Sequence, residues 1–217
     1  VTVTAGGTAS KTNVTLGKGG LITGKVTLPA GAPAEWRQAV SVSVNAIQGG
    51  SYGSAMLAQD GTYSVSGLAA GDYRVQFSSN TYYPPSGSPI RPNLIPEYYD
   101  DATSYDAAKP VAVTKGGTTS GIDATLAQGA TISGKVTLPK NVPAGWVTSV
   151  SVNASPAVGN GPGAYGYVEK DGTYVLTGVV AGTYKISFTP SSTWWNPDTQ
   201  QSDPTNLVPE YYDDALD

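Results

Sequence analysis

One block of sequence constrains this chain more than any other. Asp60–Phe77 reads DGTYSVSGLAAGDYRVQF, and it returns at Asp171–Phe188 as DGTYVLTGVVAGTYKISF. The Asp-Gly pair opens each copy with a turn, because glycine adopts positive φ at no steric cost. Tyr73, Val75 and Phe77 alternate with Arg74 and Gln76, and Tyr184, Ile186 and Phe188 alternate with Lys185 and Ser187. A period of two is that of a strand with one buried face. A chain that carries this block twice is committed to turns and half-buried strands.

The duplication extends well beyond the block. Val1-Thr-Val-Thr-Ala-Gly-Gly-Thr8 matches Val111-Ala-Val-Thr-Lys-Gly-Gly-Thr118, and Ile22-Thr-Gly-Lys-Val-Thr-Leu-Pro29 matches Ile132-Ser-Gly-Lys-Val-Thr-Leu-Pro139. Ser41–Ala46 matches Ser149–Ala154, Trp36 matches Trp146, and Ile95–Ala102 matches Val208–Ala215. The repeat is domain-sized, so the copies are tandem domains rather than turns of a solenoid. About seven short strands are expected per unit, near 22–28, 38–46, 53–59, 62–66, 72–78, 110–114 and 121–126 in the first. Separated by Gly, Pro, Asn and Asp turns, with no helical period, they predict an antiparallel β-sandwich. Val40, Val42, Val44 and Ala46 point inward in that reading. Tyr73 and Tyr184 begin a strand at a corner, where the hydroxyl bonds back to the backbone and the ring fills the core. Residues 79–94 and 189–207, rich in Pro, Ser, Asn and aromatic residues, are expected to be long loops of the kind that carry function.

Composition narrows the chemistry. The 217 residues include no cysteine and no histidine. Disulfides, thiolate nucleophiles and the commonest transition-metal ligand are therefore ruled out. A net charge of −4 with 12 Lys and Arg argues against a nucleic-acid partner. No apolar run is long enough to span a membrane. No signal peptide is visible, and the chain begins in mid-pattern, as an excised piece of something longer would. A cysteine-free, Tyr/Thr/Gly-rich acidic β chain suits a bacterial cell exterior or surface.

Two groups of residues are candidates for binding. Glu97, Asp100 and Asp101, with their twins Glu210, Asp213 and Asp214, lie in the repeated Glu-Tyr-Tyr-Asp-Asp motif. Oxygen-only clusters of this kind suit calcium, although the spacing is not that of an EF-hand loop. The bland alternative is that the tyrosines pack the loop while the acids cap amides or face water. The second group is aromatic: Trp194, Trp195, Tyr82 and Tyr83 stand in loops, where exposed rings stack on sugar faces. Trp36 and Trp146, at equivalent positions, more simply cover the sandwich ends. No catalytic set is evident: the acids fall in a duplicated motif, and no nucleophile or phosphate-loop pattern occurs. No cofactor is required, and calcium is the one ion to consider.

The order Ile-x-Gly-x-Val, Val-x-Val, Asp-Gly-x-Tyr-x-x-x-Gly-x-x-Ala-Gly-x-Tyr-x-x-x-Phe, Val-x-Val-x-x-Gly resembles the carboxypeptidase regulatory-like and collagen-adhesin B-type modules. These are transthyretin-like, Ig-like sandwiches. The resemblance covers nearly the whole chain twice, and the Glu-Tyr-Tyr-Asp-Asp-Ala addition is similar to repeats of actinobacterial exported proteins. It implies a non-catalytic structural or adhesive repeat on a secreted or surface protein, with neighbouring modules or chains as partners. The alternative is a polysaccharide-binding accessory module of a secreted enzyme. Some adhesin modules carry a Lys–Asn isopeptide; here the inward parity of Ile22, Gly24 and Val26 turns Lys25 outward, so none is expected. In such modules a Val-x-Val-x-x-Gly segment closes the fold. Residues 21–128 and 129–217 are then the two sandwiches, and 1–20 is a separate strand segment. That segment either folds back onto the first module or completes the second module of a neighbouring chain.

Overall fold

The computed structural model describes residues 1–158 and 162–212. The first module contains β1 (Gly20–Thr27), β2 (Val40–Ala46), β3 (Tyr52–Met56), β4 (Thr62–Leu68), β5 (Gly71–Ser79), β6 (Glu97–Tyr98), β7 (Val111–Val113), β8 (Thr118–Thr119) and β9 (Ala124–Thr125). The second contains β10 (Ala130–Lys135), β11 (Val150–Pro156), β12 (Ala164–Tyr167), β13 (Thr173–Val179), β14 (Tyr184–Pro190), β15 (Thr193–Asn196), β16 (Gln201–Pro204) and β17 (Glu210–Tyr211). The fold is all-β, as the alternation predicts.

In the first module β4 pairs antiparallel with β1, and β8 and β9 run parallel to the other edge of β1. The facing sheet has the order β3-β2-β5, with β6 and β7 both on the far edge of β5. The second module repeats β10-β13 and β12-β11-β14-β17. Val40, Val42 and Val44 are fully buried, while Ser41, Ser43 and Asn45 between them are only partly so. A one-residue slip of β2 would put all three valines in water, which fixes its register. Tyr63 meets Phe77 edge-on at 6.0 Å across the two sheets, and Tyr174 meets Phe188 at 5.5 Å in the second copy. The corner tyrosines behave as expected: the Tyr73 hydroxyl donates to Ala69 O and the Tyr184 hydroxyl to Val180 O, both at 2.8 Å.

Residues 111–126 close the first module. Ile122 N donates to Thr23 O, Leu126 N to Thr27 O, and Lys25 N to the Asp123 carboxylate. Gly24 is what lets this segment in, since a Cβ there would stand 2.0 Å from Ile122 O. The place into which residues 1–16 might have folded on their own module is thus taken. Residues 1–18 are exposed and contain no strand.

Two features depart from the sequence reading. Short 3-10 turns, Ala34–Ala39 and Ala144–Ser149, precede β2 and β11 and bury Ala39 and Val147. They are too brief to show a helical period. The expected loops are also more regular than their composition suggests. Tyr82 and Ile90 exchange two backbone hydrogen bonds, and β15 and β16 form a hairpin. The Asn196 side chain sets that hairpin by accepting from Asp198 N, local turn chemistry that alternation does not register.

Candidate binding surfaces

In the first copy the acids of the motif have different surroundings. Glu97 sits half-buried on β6, and burial, reinforced by the charge of Asp101, pushes its carboxyl up to about 7. Asp100 instead pairs with Lys109 at 3.2 Å, and that ammonium lies 5.6 Å from the centre of the Tyr99 ring. The bond from Lys109 to Asp100 raises the lysine pKa. Tyr99 packs against the first core, and Tyr98 meets Tyr105 edge-on. Among the described residues no three carboxylates stand close enough to share an ion. In the second copy Glu210 is exposed on β17, and Asp213 and Asp214 lie outside the described residues.

The tryptophan pair is split by the pleat. As neighbours on β15, Trp194 and Trp195 face opposite ways. Trp194 turns onto the 3-10 segment, where its indole N–H donates to Thr148 Oγ1 at 3.2 Å. Its ring covers Gly145, at which a Cβ would come within 2.4 Å of the indole. Trp195 is 60% exposed. Trp36 is half-buried against the first core, and Trp146 is half-buried in the second 3-10 segment. Tyr82 is also half-buried, whereas its neighbour Tyr83 is 69% exposed.

Tyr83 opens onto a cleft that sequence reasoning missed. A space of 460 Å³ lies between the modules, lined among others by Tyr83, Arg91, Tyr165, Tyr167 and Glu169. Tyr165 and Tyr167 share the outward face of β12 with ring centres 5.1 Å apart. Tyr165 hydrogen-bonds the Tyr167 hydroxyl and raises its pKa. Arg91 and Glu169 form an ion pair of 2.5 Å across the module boundary. The signal was in the chain: the Tyr165-Gly166-Tyr167 alternation puts two aromatic rings on one face.

The floor of this boundary is a tight splice. Only residues 126–129 separate β9 from β10. The Asn93 side chain donates to Gly129 O at 2.6 Å and accepts from Gly178 N at 2.7 Å, while Asn93 O accepts from Gly129 N. Ile95 N adds a bond to Ala127 O.

No protein-family model matches the chain, and no curated protein matches it in sequence. Solved structures give distant likenesses. A type II cohesin–X–dockerin complex from Acetivibrio cellulolyticus matches at 15% identity and a TM-score of 0.31, covering 50% of this chain and 58% of that one. A DUF3823 family protein from Bacteroides uniformis matches at 14% identity and a TM-score of 0.31, covering 78% and 87%. A candidate adhesin from Bacteroides ovatus matches at 10% identity and a TM-score of 0.29, covering 83% and 80%. The chain spans little more than half the length of the first of these.

Proposed function

We propose that the chain is a non-catalytic structural and adhesive repeat from the outside of a bacterial cell, whose paired modules set distance and stiffness. The observation that carries this reading is the Asn93 splice. Three hydrogen bonds from one residue reach both the connector and β13, so the modules are fastened where independent domains would hang on a flexible linker. The absence of cysteine and the Thr-, Gly- and Tyr-rich surface agree with an exported protein. No helix among the described residues is long and apolar enough to cross a membrane. Because the chain has no native cysteine, spin labels at Thr62→Cys and Lys185→Cys report one distance between the modules. A narrow distribution is expected; a broad one would defeat the spacer reading.

A second reading, an accessory module that binds polysaccharide, is favoured by the exposed rings of Tyr83, Tyr165 and Tyr167 in the cleft and of Trp195 on its hairpin. Co-sedimentation with insoluble polysaccharides tests it. Binding lost in Tyr165→Ala plus Tyr167→Ala would assign the cleft. Binding lost only in Trp194→Ala plus Trp195→Ala would assign the hairpin.

A further inference from the structure

On the polysaccharide-binding reading, we infer that the cleft between the modules is the binding site, and that it takes a single chain of a neutral glycan, about one or two sugar rings at a time.

The cleft's aromatic lining belongs to one copy of the repeat. Asp60 and Asp171 open matching blocks, so Ser54, Met56 and Ala58 are the counterparts of Tyr165, Tyr167 and Glu169. The strand pairing agrees: Met56 lies opposite Ser41 as Tyr167 lies opposite Ser151, and Val42 pairs with Phe77 as Val152 pairs with Phe188. β3 thus builds the same edge with a serine and a methionine, and the fold does not require the rings. Nor do the rings serve packing, since Tyr83, Tyr165 and Tyr167 are 59–69% exposed. Three exposed rings gathered at one cleft mark a contact surface, where a ring standing alone would mean nothing.

The ligand class follows from what the cleft offers. Among the described residues that line it, Arg91 and Glu169 carry the only charges, and their ion pair offsets them. An anion would meet Glu169 and a cation would meet Arg91, so a charged ligand is selected against. The two side chains are still 40% and 55% exposed, which leaves guanidinium N–H donors and a carboxylate acceptor open to the cleft. Asn80 and Thr173 add groups that both donate and accept. Neighbouring hydroxyls of a sugar do both at once. A proline-rich peptide brings mostly carbonyl acceptors and would leave Glu169 without a donor. The rings supply apolar faces for the C–H side of a pyranose. Tyr165 and Tyr167 stand at 82° to each other. Rings set near a right angle make a corner for one chain, and they cannot both lie flat on a crystalline polysaccharide surface. A cleft of 460 Å³ has the size that encloses a small ligand rather than a sheet. Tyr83, Asn80 and Arg91 come from the first module, and Tyr165, Tyr167, Glu169 and Thr173 from the second. The glycan is therefore held by both modules, and the Asn93 splice keeps the two walls at their spacing.

The test is calorimetric titration of the full chain with soluble cellotetraose, maltotetraose, xylotetraose, mannotetraose and N-acetylchitotetraose, beside the anionic polygalacturonate and heparin. At least one neutral oligosaccharide is expected to bind saturably, and neither polyanion to bind better. Tyr165→Ser plus Tyr167→Met installs the residues that β3 already carries, so the strand is kept and the rings are lost. Affinity should then fall at least about tenfold. Glu169→Ala, again the first module's residue, should lower it by a similar factor. In heteronuclear NMR spectra the bound sugar should shift backbone amides on both walls, near Tyr83 and near Tyr165; shifts confined to one module would overturn the site. Binding that survives the Tyr165 and Tyr167 exchange but is lost in Trp194→Ala plus Trp195→Ala would overturn the cleft and leave the polysaccharide-binding reading standing. A preference for the polyanions would overturn the neutral ligand. Co-sedimentation with insoluble polysaccharide, without binding to any soluble probe, would keep that reading and overturn the single-chain site. No binding in either form would overturn both.

Discussion

Among single residues, the two corner tyrosines carry the clearest expectation. Each bonds a backbone carbonyl four residues earlier, at 2.8 Å. Tyr73→Phe keeps the ring and removes only that bond, so it should cost about 1 kcal/mol in urea denaturation, the usual net worth of such a bond. Glu97 gives a pH signature. Its carboxyl in the folded chain titrates near 7, above its ordinary value of 4.5. Between those values the native state holds a proton that the unfolded chain has released, so stability falls as pH rises from about 4.5 to 7. Glu97→Gln should remove this slope and leave the variant more stable than the parent above pH 7. The gain should be on the order of 1 kcal/mol, since water screens a half-exposed group. Melting curves at pH 5 and pH 8 would show whether the two chains converge and diverge in this way. Calcium is a separate question. With Asp100 held by Lys109 and no three carboxylates gathered among the described residues, the melting temperature should be the same in calcium and in chelator; a rise in calcium would mean that the motif rearranges around an ion.

For the strands, duplication supplies an internal control. Gly24 and Gly134 are twins, but Gly24 is pressed by the backbone of the closing segment, whereas the nearest atoms to a Cβ at Gly134 among the described residues belong to the Tyr174 side chain. Gly24→Ala should therefore destabilise the first module by about 2–3 kcal/mol, as overpacking against backbone does. Gly134→Ala should cost clearly less, because a side chain can yield where a paired strand cannot. Separate calorimetric transitions for the modules would show the asymmetry. Strands β1–β5 and β10–β14 were legible because alternation is a local signal. The 3-10 turns and the β15–β16 hairpin were not, since the turns are too brief to show a period and the hairpin depends on the Asn196 turn. The Trp194–Trp195 pair shows the same limit: the composition suggested a loop, and the residues lie on a strand whose pleat sends the two rings to opposite faces.

For the molecule as a whole, the junction decides whether two sandwiches act as one body. Asn93→Ala removes the two side-chain bonds, to Gly129 O and from Gly178 N, and leaves the backbone bond to Gly129 N in place. It should broaden the distance distribution between labels on the two modules while leaving both melting transitions within about 1 kcal/mol of the parent. The exposed Arg91–Glu169 pair is too weakly coupled through water to replace it.

By itself the sequence determined that this is an all-β protein built from one unit used twice, with Val40, Val42, Val44, Tyr73 and Phe77 in the core. These are local and periodic facts, written in side chains two residues apart. Only the tertiary structure decided which of two near-identical segments, 1–16 or 111–126, closes the first module. It alone also brought Tyr83 to Tyr165 and Tyr167, and in the first copy of the Glu-Tyr-Tyr-Asp-Asp motif half-buried Glu97 while setting Asp100 against Lys109. The physical reason is that both segments carry the same pairing pattern, so pattern cannot choose between them; what chooses is which one the chain can lay along the edge of β1.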